Sequence, residues 1–99
     1  METFKDVIAG DRLVLVDFFA TWCQPCKMMH PILMQVKEVL GDRLRIIKVD
    51  VDKYGATAHQ YQVQSVPTLM LFRSGEVLWR TSGVMPKAEL LATIDPFLR

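Results

Sequence analysis

An α/β fold built on a mixed sheet of about four strands is what this 99-residue sequence predicts. Three observations carry the prediction. Of the residues from Leu13 to Ala20 only Asp17 is not apolar, as expected of a strand covered on both faces. An amphipathic stretch from Met29 to Leu40 follows, and Leu44 to Val51 returns as a second apolar run, so strand, helix and strand form a right-handed βαβ unit. Thr68 to Phe72 and Val77 to Thr81 then flank Arg73-Ser74-Gly75-Glu76, a two-residue hairpin signal that makes this last pair antiparallel.

Each element has a local cause. Phe4, Val7 and Ile8 fall at helical spacing over residues 2 to 9, and Gly10 stands where that short helix would stop. Pro25 suits the first turn of the second helix, where its missing N–H would have been unpaired anyway. Ile32, Leu33, Val36 and Leu40 then mark the buried stripe, Gly41 supplies the stop, and Pro31 inside the helix predicts a kink. Tyr54, Ala58 and Tyr61 mark a short third helix. Leu90, Leu91, Ile94, Phe97 and Leu98 mark the last one, with Pro86 at its start and Pro96 distorting its end. Met28, Met29 and Met34 are expected to fill core space along the second helix, and Trp79 to pack rather than bind. Residues 1–99 read as one domain without repeat or linker.

Composition narrows the function. With 51% hydrophobic and 23% charged residues the chain has the balance of an ordinary globular protein. Twelve Lys plus Arg against eleven Asp plus Glu leave a charge of +1, which gives no electrostatic case for nucleic acid or an anionic membrane. No apolar run approaches a membrane span, and Met-Glu-Thr-Phe-Lys-Asp lacks the pattern of a signal peptide, so a cytoplasmic location is expected. The only two cysteines, Cys23 and Cys26, lie three apart at the start of a helix. That argues for a site that uses its thiols rather than a stapled scaffold.

The spacing has a chemical reading. Three residues apart, both sulfurs sit on one side of the first helical turn, where a disulfide can close and reopen. Cys23 also faces unpaired backbone N–H groups and the positive end of the helix dipole, which favour thiolate over thiol. A Cys23 thiolate can attack a substrate disulfide, and Cys26 can then resolve the mixed disulfide. Cys26 must lose a proton for this step, and Asp17 is the carboxylate on offer. Asp17 shares a strand face with Leu13, Leu15 and Phe19, an apolar setting that raises a carboxyl pKa, while Lys48 on the neighbouring strand would lower it again if the two side chains approach.

At these residues the chain resembles the thioredoxin family. The resemblance covers nearly all of it: Val16-Asp17-Phe18, Ala20, Trp22-Cys23-Gln24-Pro25-Cys26-Lys27, Pro31, Lys48-Val49-Asp50, Tyr61-Gln62-Val63, Val66-Pro67-Thr68, Phe72-Arg73-Ser74-Gly75-Glu76 and Gly83. It implies a thioredoxin fold and a protein dithiol/disulfide oxidoreductase without bound cofactor or metal. In it Cys23 is the nucleophile, Cys26 the resolving thiol and Asp17 the buried proton acceptor, with Lys48 and Pro67 completing the catalytic set. It further implies a cis bond between Val66 and Pro67, and a shallow substrate groove formed by Trp22, Gln24, Pro25, Val66, Pro67, Gly83 and Val84. The implied partners are substrate proteins carrying disulfides and, as electron donor, a thioredoxin reductase, an NADPH-dependent flavoprotein; the implied state is a monomer.

Three positions and the N-terminus depart from the family pattern. Gln24 stands where Gly is usual, Phe19 where Trp is common, and Ser65 where Gly is frequent. There is no room before the first helix for the family's usual edge strand, so Leu44 to Val51 would lie along an exposed sheet edge, blunted by Arg45 and Lys48.

Three rival readings compete. Zinc could in principle use Cys23, Cys26, His30 and His59, but His30 follows Cys26 by four residues instead of standing on a separate element, so both histidines are read as surface or packed residues. A binding subunit of this fold without turnover would more often have lost its cysteines. A disulfide isomerase or oxidase is the third alternative, and Pro25 argues against it, since isomerases more often carry His there.

Overall fold

Strand β1 (Leu13–Phe19) is the axis of the computed structural model, which describes residues 1–99. Leu13 to Phe18 are all buried because the strand is paired on both sides. It runs parallel to β2 (Leu44–Asp50) and antiparallel to β3 (Thr68–Arg73), and β4 (Glu76–Ser82) pairs antiparallel beyond β3. The order β2-β1-β3-β4 is the expected four-stranded mixed sheet.

Alternation along β1 divides the core into two layers. Leu13 and Leu15 face α2 (Gln24–Leu40) and α4 (Lys87–Ile94), where they meet Met29, Leu33, Val36, Leu90 and Ile94. Val14, Val16 and Phe18 face the opposite side, against Ile8 of α1 (Phe4–Ala9) and beside Tyr61, which caps α3 (Gly55–Gln60). The Tyr61 ring packs 5.5 Å from Phe4 and 5.4 Å from Phe72, so this tyrosine, expected within the third helix, ends it and seals the second layer.

Helix α2 buries Cys26, Met29, Leu33, Val36 and Leu40, a stripe of alternating three- and four-residue steps that carries the cysteine at its N-terminal end. Burying one such Leu or Val side chain contributes about 1.5–3 kcal/mol. The helix continues through Pro31 as one element. Pro31 and Lys27, whose carbonyl loses its helical donor, are both exposed, so water can serve that carbonyl. The methionine expectation holds for Met29 but not for Met28 and Met34, which are 57% and 62% exposed. Both lie off the buried stripe, and their apolar character does not override helix geometry. Trp79 packs against the α2-side core.

Turns and ends fix the frame. Ser74 (φ 53°) and Gly75 (φ 80°) both take the left-handed conformation that a two-residue hairpin requires. Their N–H groups donate to the carbonyls of Gly10 and Ile8 at 2.8 Å each, tying the end of α1 to the sheet. Strand β2 stops at Asp50, one residue before the expected Val51, because the Asp50 carboxylate accepts the N–H groups of Asp52 and Lys53 and turns the chain. Pro96 ends α4 as expected: the helix stops at Ile94 and the chain passes into a single 3-10 turn. Along the β2 edge, Arg45 pairs with Glu2 at 2.7 Å and Lys48 is exposed.

Candidate active site

The site is assembled where β1 ends. Ala20 accepts the N–H of Cys23 at 3.2 Å, which turns the chain sharply from the strand into α2. Cys23 is the N-cap residue of that helix, and its Sγ accepts the N–H of Cys26 at 3.2 Å. Gln24 and Pro25 fill the first helical positions and are exposed, as the position of Pro25 in the sequence predicts. The cysteines are joined as a disulfide with Cα atoms 5.3 Å apart, within the ordinary range for such a bond. Ala20, Cys23 and Cys26 form a small buried cluster of their own, edged by Phe19, Val51 and Val66.

A second segment closes over the first. The Val66–Pro67 peptide bond is cis, and the Val66 carbonyl oxygen lies 3.7 Å from Cys23 Sγ. Thr68 Oγ1 donates to the Ser65 carbonyl at 2.7 Å, and Arg80 donates to the carbonyls of Tyr61 and Gln62, which pins the loop leading in. The N–H of Gly83 donates to the Pro67 carbonyl at 2.9 Å and so brings the start of the last connection against the same loop; Gly83 has φ 91°, a conformation that favours glycine. Of the residues expected to form the groove, Val66 packs against the cysteine cluster and Gly83 is tied to Pro67 of the same loop. Trp22 is 71% exposed, and its indole N–H donates to Asp52 at 2.9 Å.

Asp17 lies on the α2 side of β1, two residues beyond Leu15, and is fully buried. Neither carboxylate oxygen has a hydrogen-bond partner. Burial pushes its pKa up to about 6, against the pull of the Lys48 charge. Lys48 stands directly beside Asp17 in the β1–β2 register, yet no ion pair forms between them. Its long stem turns outward and takes the ammonium to 3.2 Å from His30 Nδ1 and 4.7 Å from the centroid of the Phe19 ring. An ammonium keeps most of its hydration there, whereas meeting Asp17 would bury it. The strand-level neighbourhood expected of the two residues is present and the salt bridge is not. His59 sits on α3, behind the sheet from α2, so the four residues of the zinc reading do not converge.

One residue of the site was not singled out by its sequence: Asp52, which holds the Trp22 indole, is signalled only by the Asp50-Val51-Asp52-Lys53 turn. His30 was weighed only as a zinc ligand or a surface or packed histidine, and its partnership with Lys48 was not foreseen.

A family model described as Thioredoxin matches residues 1–96. The chain belongs to the thioredoxin family. A thioredoxin-like protein of Synechocystis is 48% identical over 96% of this chain and 91% of its own length. The thioredoxin of Bacillus subtilis is 43% identical over 90% of this chain and 86% of its own. The chloroplastic thioredoxin Y of rice (Oryza sativa) is 42% identical over 90% of this chain, which spans 53% of that longer protein. Among solved structures, a malaria-parasite thioredoxin-2, described as a component of the parasite's protein secretion machinery, superposes with a TM-score of 0.83 at 30% identity, over 86% of this chain and 82% of that one. The fold is the α/β thioredoxin fold. Family membership together with a cysteine pair at disulfide distance makes the chain a dithiol/disulfide oxidoreductase of the thioredoxin type, a class that acts on protein disulfides.

Proposed function

We propose that residues 1–99 work as one domain that reduces protein disulfides, with Cys23 as the attacking thiolate, Cys26 as the resolving thiol and Asp17 as the proton acceptor. The observation that carries this reading is the capping contact at Cys23. A sulfur that already accepts a backbone N–H at the head of a helix is stabilised as an anion by the same groups.

The Cys23 thiolate attacks one sulfur of the substrate disulfide; the new S–S bond joins protein and substrate, and the other substrate sulfur leaves as a thiolate that takes a proton from water. Asp17 accepts the proton of Cys26. The Cys26 thiolate attacks Cys23 Sγ, the Cys23–Cys26 disulfide forms, and the second substrate sulfur departs. Substrate is reduced by two electrons, and the protein pair is oxidised by two. The substrate chain lies over Trp22, Gln24, Pro25, Val66, Pro67, Gly83 and Val84, with Lys48 supplying a fixed positive charge beside Asp17. An NADPH-dependent flavoprotein of the thioredoxin reductase class returns the electrons.

Equilibration of the Cys23–Cys26 pair with glutathione tests the direction of the reaction. A potential near about −270 mV is expected. One near about −120 to −180 mV, in the range of oxidases and isomerases, would overturn the reductase reading. The cytoplasmic location stands or falls with the same value, because only a reducing pair suits a compartment that keeps thiols reduced; no helix is long and apolar enough to cross a membrane.

The protein works as a monomer on this reading. Its open β2 edge carries the Arg45–Glu2 pair and the exposed Lys48, which oppose strand-to-strand association. Sedimentation at high micromolar concentration should show a single monomeric species, and a dimer there would contradict this.

A further inference from the structure

His30 follows Cys26 by four residues, so one turn of α2 places its ring above the face that carries the resolving cysteine. Opposite it, Lys48 leaves edge strand β2 beside Asp17 and turns outward until Nζ stands 3.2 Å from His30 Nδ1. An ammonium only donates, so Nδ1 is the acceptor and the neutral ring keeps its proton on Nε2. The pair separates two adjoining hollows. One, of about 340 Å³, reaches Cys26 and is lined also by Phe19 and Lys27; the other, of about 250 Å³, runs on past Leu33, Met34, Lys37 and Ile46.

We propose that His30 is a positioning residue for thiol exchange: it holds the Lys48 ammonium at the mouth of the hollow that opens on Cys26, and thereby fixes the counter-charge that Asp17 experiences. The inference rests on the reading of Asp17 as proton acceptor.

Asp17 cannot hold the ammonium itself. Its oxygens make no hydrogen bond and lie below the surface, while Lys48 ends in solvent. The two anchors of Lys48 are the His30 ring nitrogen and the face of the half-buried Phe19, and a cation over a phenyl ring still open to solvent is held only weakly. A lysine stem has four flexible carbons and disperses once its hydrogen-bond acceptor is lost. Around His30 the charged or titratable neighbours are Lys27 and Cys26 on its own helix, Lys37 in the adjoining hollow, Lys48 of β2 and, beneath, Asp17 of β1. Neither hollow is lined by a carboxylate that could replace His30 as an anchor. With Lys48 dispersed, the charge that opposes the burial of Asp17 weakens, and the carboxyl holds its proton to higher pH.

The test is a carbon-13 NMR titration of the Asp17 carboxyl in the reduced protein, compared across wild type, His30→Ala and His30→Gln. His30→Ala should move the midpoint upward by about half a pH unit, and the pH profile of mixed-disulfide resolution should shift with it. His30→Gln, whose amide oxygen accepts the same N–H, should leave both where wild type has them. An unchanged or lowered midpoint in His30→Ala, or identical behaviour of the two variants, would overturn the proposal. The midpoint is read without turnover. A failure of the proton-acceptor reading would show instead as an Asp17→Asn protein that resolves mixed disulfides at the wild-type rate.

Discussion

Cys26→Ser, mixed in reduced form with a disulfide-bearing protein such as insulin, is expected to accumulate a covalent adduct on Cys23, whereas Cys23→Ser should form almost none. Turnover should fall by on the order of 10³-fold or more in both, because neither variant can complete the exchange. The asymmetry does not come from exposure, since the sulfur-bearing residues are 4% and 3% exposed and equally enclosed. It comes from position on the helix. Cys23 caps α2, faces its unpaired N–H groups, and lies beside the Val66 carbonyl of the loop over which substrate would lie; Cys26 is one turn in, at the head of the buried stripe and on the side of Asp17. Mass spectrometry of the trapped species reads the outcome directly. Equal adducts on the two single variants would mean that helix position does not select the nucleophile.

Sequence made the frame of this site readable because the frame is built from local signals. The apolar run of β1, the stripe of α2, the Ser74-Gly75 turn and the helix-opening cysteines each obey a short-range rule, and each appears where that rule puts it. Where a side chain had a choice, sequence misled for two methionines and left Lys48 open. Met28 and Met34 are apolar but fall off the buried stripe and stay exposed. Lys48 is adjacent to Asp17 in register but long enough to turn outward, so adjacency did not become a salt bridge. Contacts between distant segments, such as Trp22 with Asp52 or Gly83 with Pro67, depend on where the sheet places two loops. No periodicity encodes that. The groove residues around the cysteines could therefore be named only through a family resemblance, while the cysteines and Asp17 could be argued from chemistry.

Asp17→Asn should make the fold more stable at pH 7 and the enzyme slower. The Asp17 carboxyl titrates at about 6 in the folded protein, and an unfolded aspartate titrates near about 3.9. Between these values the folded protein keeps a proton that the unfolded chain has released, so stability falls as pH rises through the interval. The penalty vanishes below about pH 3, grows through the interval, and is nearly complete at about pH 7, at about 3 kcal/mol. Asparagine removes the charge but leaves a buried amide with unpaired groups, which costs about 1–3 kcal/mol at any pH. That cost cancels when the two proteins are compared at two pH values. Urea unfolding of both at pH 4 and pH 7 should therefore show the variant gaining about 2 kcal/mol, relative to wild type, between the lower pH and the higher. A relative loss over the same interval would mean that the ionised carboxylate is stabilising, as it would be in a salt bridge with Lys48. The kinetic arm is independent of this sign: general-base assistance contributes roughly 10²- to 10⁴-fold, so the mixed disulfide should persist at least a hundred times longer in Asp17→Asn at pH 7, and its decay should lack the rise through about pH 6 expected of the wild type.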